Sequence, residues 1–424
     1  MDVSHGWTIG QHFARARWRW ATLRGERLTR YQDARARAIV AYAAARAPFY
    51  RAHWAGHDLN DWRTLPPVDK TLMMDHFATF NTQGISRAAA MDVALQAEIS
   101  RDFAPTLGDI TVGLSSGTSG HRGLFLAAPW EQHGWVGVLL ARALHRPTTR
   151  LRVAFFLRSN SNLYEQLGGN IIQFRYFDLM TPLPEAIGAL NAFAPDILVG
   201  PPSLLGMLAR AQAHGALRIR PQRLISVAEV LEPQDRDRLE GIFHVPVHQI
   251  YQCTEGLLAI SCPRGRLHIQ EDLVTMQYER LAETRPPTTP ASAETHDPAR
   301  CENDQRPTHP DGSGASASPP PQTGRENDEQ AAIRVTPIIT DLWRRTQPII
   351  RYRLNDVLQL DPAPCPCGGG FRVIRSIEGR SDDVVYFRLP DRAYRAFFPD
   401  AIRRAILLAG EGMTDYQATQ HQPG

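Results

Sequence analysis

Several short stretches of this chain gather groups that could do chemistry on a phosphorylated ligand. The run "LSSGTSGHRG" (114–123) packs Gly117, Gly120 and Gly123 among the hydroxyls of Ser115, Ser116, Thr118 and Ser119, with the guanidinium of Arg122 beside them. A loop of this make-up can turn its backbone N–H groups inward as a concave anion site, and the hydroxyls add donors. It is not a Walker A loop, which ends in Gly-Lys-Ser/Thr and opens a helix. Here Arg122 and Gly123 lead into the apolar "LFLA", which reads as a strand. A phosphate cradle and an ordinary hairpin both fit these residues. "YQCTEG" (251–256) supplies an aromatic ring to stack on a base (Tyr251), a hydroxyl to donate to a phosphate (Thr254) and a carboxylate to hold Mg²⁺ through oxygen (Glu255). "SVAEV" brings Ala228 and Glu229, and "RYRLND" brings Asp356, a carboxylate suited to a ribose diol.

A second constellation is built on sulfur. "CPRGRLH" gives Cys262 and His268, and "CPCGGG" gives Cys365 and Cys367. Together they supply four ligands, enough for a closed tetrahedral zinc site. The spacing is not that of a common zinc finger, so unpaired thiols in two turns, with His268 facing the core, remain the other reading. Cys253 and Cys301 need no such role. Five cysteines are an odd number, which argues against a disulfide framework and for a reducing, cytoplasmic setting.

The elements that must position these groups follow from the apolar pattern. Residues 11–47 read as one or two helices, and their Arg-rich, Ala-rich continuation favours docked helix over a targeting peptide. Strands are expected at 151–158, 195–200, 223–230 and 245–252, separated by helices at 182–193, 201–215 and 232–243. Such alternation means parallel α/β architecture, with functional groups in the loops at the carboxyl edge of the sheet. From about 282 to 331 the chain is rich in Pro, Thr, Ser, Asp and Gly with few large apolar residues, too few to bury a core, so disorder is expected. The resulting division is 1–104, a helical part of a large domain; 105–281, an α/β core; 282–331, an insertion; 332–381, a β-rich end; and 382–424, an incomplete cap with one helix near 399–409.

Taken in order, the Ser/Gly/Thr loop, Ala-Glu, Tyr-x-x-Thr-Glu, Tyr-Arg-x-x-Asp and "GRSDD" form the motif series of the adenylate-forming enzymes. Within them the chain resembles the phenylacetate–CoA ligase branch, which also contains synthetases that adenylylate a deazaflavin coenzyme. "APFYRAHW", "LPPVDK" and "GRSDDVV" add to the likeness, which runs through Asp383 apart from the insertion. The resemblance implies a large α/β domain with mixed, largely parallel sheets and flanking helices, followed by a smaller α+β cap. It implies that Ser115 to Gly123 enclose the β- and γ-phosphates of ATP, with Arg122 where many relatives carry lysine. Ser226 to Glu229 and Tyr251 would frame the adenine, Thr254 would touch the α-phosphate and Glu255 would hold Mg²⁺. Asp356 and Arg380 would bind the ribose, with Asp382 or Asp383 as a hinge. An acid would be adenylylated with loss of pyrophosphate, then passed to a thiol, usually coenzyme A. The acid pocket would involve Val199–Ser203, Val227–Ala228 and Gly256–Leu258, an apolar neighbourhood that favours an aromatic or other apolar carboxylate.

The chain departs from that pattern at its end. Only 41 residues follow Asp383, and Lys70 is the sole lysine, whereas these enzymes carry a larger cap whose lysine reaches the α-phosphate. Arginine is a poor substitute for a compact ammonium there. Two other readings follow: an adenylyltransferase acting on a cofactor hydroxyl, and a capless nucleotide-binding remnant. A net charge of +3 is too small to make nucleic acid the expected partner. No apolar run reaches the roughly 20 residues of a membrane span. With no adjacent carrier domain in the sequence, a carrier protein would act in trans.

Overall fold

Side chains alternate across a strand with a period of two, and in Leu151–Leu157 both sets are apolar apart from Arg152 near the start. Ala154 and Phe156 pack on one side, while Val153, Phe155 and Leu157 face the other. A sheet made of such strands needs cover on both faces, as parallel sheets do. The computed structural model describes residues 3–102, 105–114, 122–143, 151–157, 172–280 and 334–380, with the backbone of Val385–Arg388 and Tyr394–Phe397. The expected insertion at 282–331, Asp382, Asp383 and the helix near 399–409 lie outside them.

Two long helices open the chain, α1 (Val3–Thr22) and α2 (Gly25–Arg46). Four shorter ones follow: α3 (Pro48–His53), α4 (Lys70–Asp75), α5 (Phe77–Phe80) and α6 (Arg87–Ser100). Pro48 starts α3, where its missing N–H costs nothing. Asp69 caps α4 by accepting from the Leu72 N–H at 2.9 Å, and Ser86 caps α6 through Ala89. Strands β1 (Thr106–Leu107), β2 (Ile110–Leu114) and β3 (Leu124–Ala127) form a small antiparallel sheet, so the glycine-rich run does connect two strands. Helix α7 (Pro129–Ala143) follows and packs along α1.

The main sheet has twelve strands among the described residues. Its parallel half runs β5 (Ile172–Asp178), β4 (Leu151–Leu157), β6 (Ile197–Gly200), β7 (Arg223–Ser226) and β8 (Val247–Cys253). At β8 the pairing turns antiparallel and continues through β9 (Gly256–Ser261), β10 (Leu267–Ile269), β15 (Val373–Arg380), β14 (Asp356–Asp361), β12 (Arg334–Asp341) and β11 (Val274–Arg280). The short β13 (Tyr352–Arg353) pairs with β12, and β16 (Val385–Arg388) with β17 (Tyr394–Phe397). The fold is thus mixed α/β, with the parallel unit in the expected stretch. The strand expected at 223–230 ends at Ser226, because the chain turns at Ala228 with a φ of 68°, and β5 is a parallel strand that was not expected.

Helices Leu183–Phe193, Pro202–Ala213 and Pro233–Phe243 cover one face of the parallel half through Leu190, Leu205, Leu208 and Leu239. The opposite face turns toward α7 and is only partly filled. A separate core lies between the antiparallel half and α2–α6, where Tyr50, Trp54, Phe77 and Phe80 meet Leu258, Ile339 and Tyr352. Among the described residues no helix is long and apolar enough to cross a membrane.

Candidate active site

The partly filled face opens into a cavity of about 1160 Å³. One end is apolar. Val153, Phe155, Phe174, Val199, Ile225 and Ile250 line it from five successive parallel strands, facing Val138 and Leu139 of α7. The expected acid-pocket residues Val199, Val227, Ala228, Gly256 and Leu257 are in this wall, whereas Leu258 points into the core. Gly113 sits where a Cβ would fall 1.9 Å from the ring of Phe125, another wall residue, so glycine is needed for that ring to lie there.

The other end is polar and is built around the turn between β8 and β9. Glu255 is buried, and its carboxylate accepts from Tyr352 Oη at 2.9 Å and from Thr254 Oγ1 at 2.8 Å. Burial, then the nearby Glu255 charge, pushes the Tyr352 phenol well above its ordinary range, so this group holds its proton and is the donor. Arg344 clamps the turn by donating to the Thr254 carbonyl at 2.7 Å. Asp341 accepts the N–H groups of Trp343 and Arg344 at 2.7 and 2.8 Å, and burial pushes its carboxyl up to about 6. Thr254, Glu255, Ala228, Glu229, Asp356, Arg380 and Arg122 all line this one cavity.

The polar side chains among them already have partners. Glu229 accepts from the N–H and hydroxyl of Ser203, which holds it at the start of the Pro202–Ala213 helix. Arg122 is ion-paired with Glu98 at 2.6 Å. Asp356 stands at the start of β14, just after the short β13, 3.9 Å from Arg380, its neighbour across the ladder. Tyr251, expected to stack on a base, does not line the cavity. Ile250 and Gln252 do, while Tyr251 is turned to the opposite side, packs on the core and donates to Asp356. Gly123, just before β3, is buried and does not line the cavity, and Ser115, Ser116, Gly117, Thr118, Ser119 and Gly120 lie outside the described residues. The residue types alone did not single out Tyr352, Asp341, Arg344, Glu98 or Asp69 for the site. Nor did they place Lys70 there, yet it also lines the cavity. The polar run "TDLWRR" after an alternating strand was the available signal for two of them.

The sulfur constellation converges as its composition suggested. The ligand atoms of Cys262, His268, Cys365 and Cys367 all lie within 4.8 Å of one another. Cys262 Sγ is 3.8 Å from Cys365 Sγ, and Cys367 Sγ is 3.4 Å from His268 Nε2. Tetrahedral zinc with Zn–S near 2.3 Å and Zn–N near 2.0 Å would set about 3.8 and about 3.5 Å for these separations. His268 Nδ1 lies 2.9 Å from the Phe371 carbonyl, which can only accept, so the proton is on Nδ1 and the Nε2 lone pair faces the sulfurs. Burial lowers the His268 pKa against the opposing pull of the Phe371 carbonyl, which favours the neutral ring, while it pushes the Cys262 thiol up to about 12. The edge of Trp20 from α1 lies against His268 and Phe371 at 5.1 Å, and Gly370 gives room for the Arg24 backbone. The donor set fits a structural zinc ion joining β10 to the loop before β15.

No protein-family model matches the chain, and no curated protein matches it by sequence. Among solved structures it is similar to 2-hydroxyisobutyryl-CoA ligase in the postadenylation state in complex with R3-HIB-AMP. There the identity is 17% and the TM-score 0.63, over 91% of this chain and 73% of that one. It is likewise similar to an open conformation of that ligase in complex with 2-HIB-AMP and CoA, at 17% identity and a TM-score of 0.59, over 90% and 80% of the two chains. At this identity the likeness establishes the fold: this chain has the mixed α/β fold of a CoA ligase.

Proposed function

We propose that this protein is an AMP-forming acid–thiol ligase similar to the phenylacetate–CoA ligases, which adenylylates an aromatic or other apolar carboxylic acid and passes it to coenzyme A or another thiol. One observation carries the reading. Thr254–Glu255, Ala228–Glu229, Asp356–Arg380 and Arg122 come from distant stretches of the sequence, and they line a single cavity whose other end is apolar. ATP would occupy the polar end, with its ribose on Asp356 and Arg380 and its adenine along Ser226–Glu229. The left-handed φ of Ala228 is a strained conformation for a residue with a Cβ, and such strain concentrates at ligand-holding turns.

In the reaction, the acid's carboxylate oxygen attacks the α-phosphorus, the bond to the bridging oxygen breaks and pyrophosphate leaves. A thiol sulfur then displaces AMP from the acyl carbon, its proton passing to solvent. Magnesium, when bound at Glu255, neutralises phosphate charge. The chain's own residues position and balance charge. Tyr352 and Thr254 fix the Glu255 carboxylate, Arg344 fixes the turn that carries both, and Arg122 and Lys70 bring positive charge to the same end. Arg122 must exchange Glu98 for phosphate when ATP arrives. Zinc, when bound by Cys262, His268, Cys365 and Cys367, is structural. The similar fold of 2-hydroxyisobutyryl-CoA ligase, whose structures hold an acyl-AMP and CoA, supports the reading.

The test is acid-dependent hydroxamate formation with Mg-ATP, hydroxylamine and a panel of aromatic and aliphatic acids. Hydroxamate with one acid class, together with stoichiometric pyrophosphate, is the expected result. An AMP adduct formed on an alcohol with no acid requirement would replace the ligase with an adenylyltransferase.

A further inference from the structure

The outer side of α1 carries a pattern that neither the packing of the fold nor the adenylation chemistry uses. Trp7 and Trp18 are eleven residues apart, about three turns and about 16 Å along the axis, so both rings stand on one line of the helix. They are 71% and 54% exposed, whereas tryptophan is a residue that folding usually buries. Gly10 and Ala14 lie between them on the same side and are exposed, so no large apolar residue covers either ring from within the helix. The opposite side, with Ile9, His12 and Ala16, packs against α7.

Positive charge is gathered around this face. Residues 3–46 hold nine arginines against two carboxylates, an excess of seven in a chain whose whole net charge is +3. Helix α1 itself has no carboxylate. Of the two in α2, Asp33 is spent on Arg63 and the Trp62 indole, and Glu26 stands 3.8 Å from Arg30. Arg15, Arg17, Arg24 and Arg27 are all exposed. At 100° per residue Arg15 and Arg17 flank the tryptophan line on its two sides. Arg27 lies over the Trp18 ring at 5.3 Å.

The chemistry of this face selects its partner. A second copy of the same face would bring like charges together, which costs free energy. An anionic surface would offset them. Indole has an apolar body and a polar N–H, the combination that settles at the depth of lipid headgroups, and the arginine fork matches phosphate. A helix with tryptophan and arginine on its free side lies in the plane of a membrane surface. We infer that α1, with the start of α2, docks on an anionic lipid bilayer, Trp7 and Trp18 entering the headgroup region and the surrounding arginines pairing with lipid phosphates. The contact is peripheral, since among the described residues no helix can cross a bilayer. On the ligase reading an apolar acid dissolved in that bilayer is held close to the enzyme that consumes it; the docking itself does not rest on that reading.

Co-sedimentation of the full chain with vesicles tests the assignment, using phosphatidylcholine alone and phosphatidylcholine mixed with phosphatidylglycerol. The chain is expected to bind the mixed vesicles, to bind the neutral ones far more weakly, and to be released as salt rises. Arg15→Gln and Arg27→Gln should each weaken binding about fivefold. Trp7→Ala combined with Trp18→Ala should weaken it more than about tenfold. All four side chains are exposed, so each variant should keep the parent's melting temperature and its acid-dependent pyrophosphate release in lipid-free solution. Vesicles with brominated acyl chains should quench the tryptophan emission of the parent. Equal binding to both vesicle compositions, or to neither, would overturn the assignment. So would mixed-vesicle binding that the double tryptophan variant leaves intact, or a parent whose emission the brominated lipid does not quench. A lipid-free dimer in sedimentation velocity that Trp18→Ala dissociates would give the face to a second copy instead. Vesicle binding with these signatures in a chain that releases no pyrophosphate would sink the ligase reading and leave the docking face standing.

Discussion

The cysteine–histidine cluster and the polar end of the large cavity both draw on the antiparallel half of the sheet, and they hold their ligand atoms in opposite ways. In the cluster the three sulfurs and one nitrogen face one another, while the Phe371 carbonyl holds the far side of the histidine ring and the Gly369 N–H donates to Cys367 Sγ. At the cavity end the carboxylates are already engaged: Glu255 by Tyr352 and Thr254, Glu229 by Ser203, Asp356 by Tyr251. The first arrangement suits an ion acquired once and kept. The second suits substrates that come and go, because each carboxylate keeps a partner when the ligand leaves and no buried charge is stranded.

That contrast can be broken or sharpened by substitution. Glu255→Gln should have the largest effect: acid-dependent pyrophosphate release falling by about three orders of magnitude, with the fold and zinc content intact. Cys262→Ser should do the reverse. Metal analysis should show zinc lost from the purified protein. The melting temperature should drop by about 4 °C, corresponding to ~3–5 kcal/mol at the scaling for a chain of this size. ATP binding should survive at lower temperature. Val199→Phe narrows the apolar end and should raise KM for the acid about tenfold, ~1.4 kcal/mol, while KM for ATP holds.

Smaller effects probe the partners of the carboxylates. Tyr352→Phe removes one hydrogen bond to Glu255 and should lower kcat roughly fivefold, about 1 kcal/mol. Asp341 gives a pH signature. Its carboxyl titrates near 6 in the folded chain against 3.8 for an ordinary one. Between those values the native state binds the extra proton, so this group's contribution to stability rises as pH falls from 7 toward 4. Asp341→Asn removes that slope. The variant's melting temperature relative to the parent should therefore be about 1.5 °C more favourable at pH 7.5 than at pH 5.

How much of this the residues disclose depends on the range of the interaction involved. The alternation of strands and helices from 182 to 253 is local, and its elements fall near where the apolar pattern puts them, although β7 stops four residues early and β5 was not expected. So do the strands that flank the glycine-rich loop. Cys262 with His268, and Cys365 with Cys367, could be paired by ligand chemistry alone, although about a hundred residues separate the two halves. Tyr251 could not be placed by type, because the alternation along β8 that turns Ile250 and Gln252 to the cavity sends Tyr251 to the other face. Tyr352 meets Glu255 across 97 residues of sequence. Contacts of that kind exist only in three dimensions.

The most direct test of the central claim is exchange of labelled pyrophosphate into ATP, because it reports adenylation without needing the thiol step. The account predicts exchange that requires both magnesium and an apolar acid, is abolished by Glu255→Gln and is unchanged by Trp18→Ala. A chain that binds ATP with its zinc in place, yet catalyses no exchange with any acid of the panel, would contradict it.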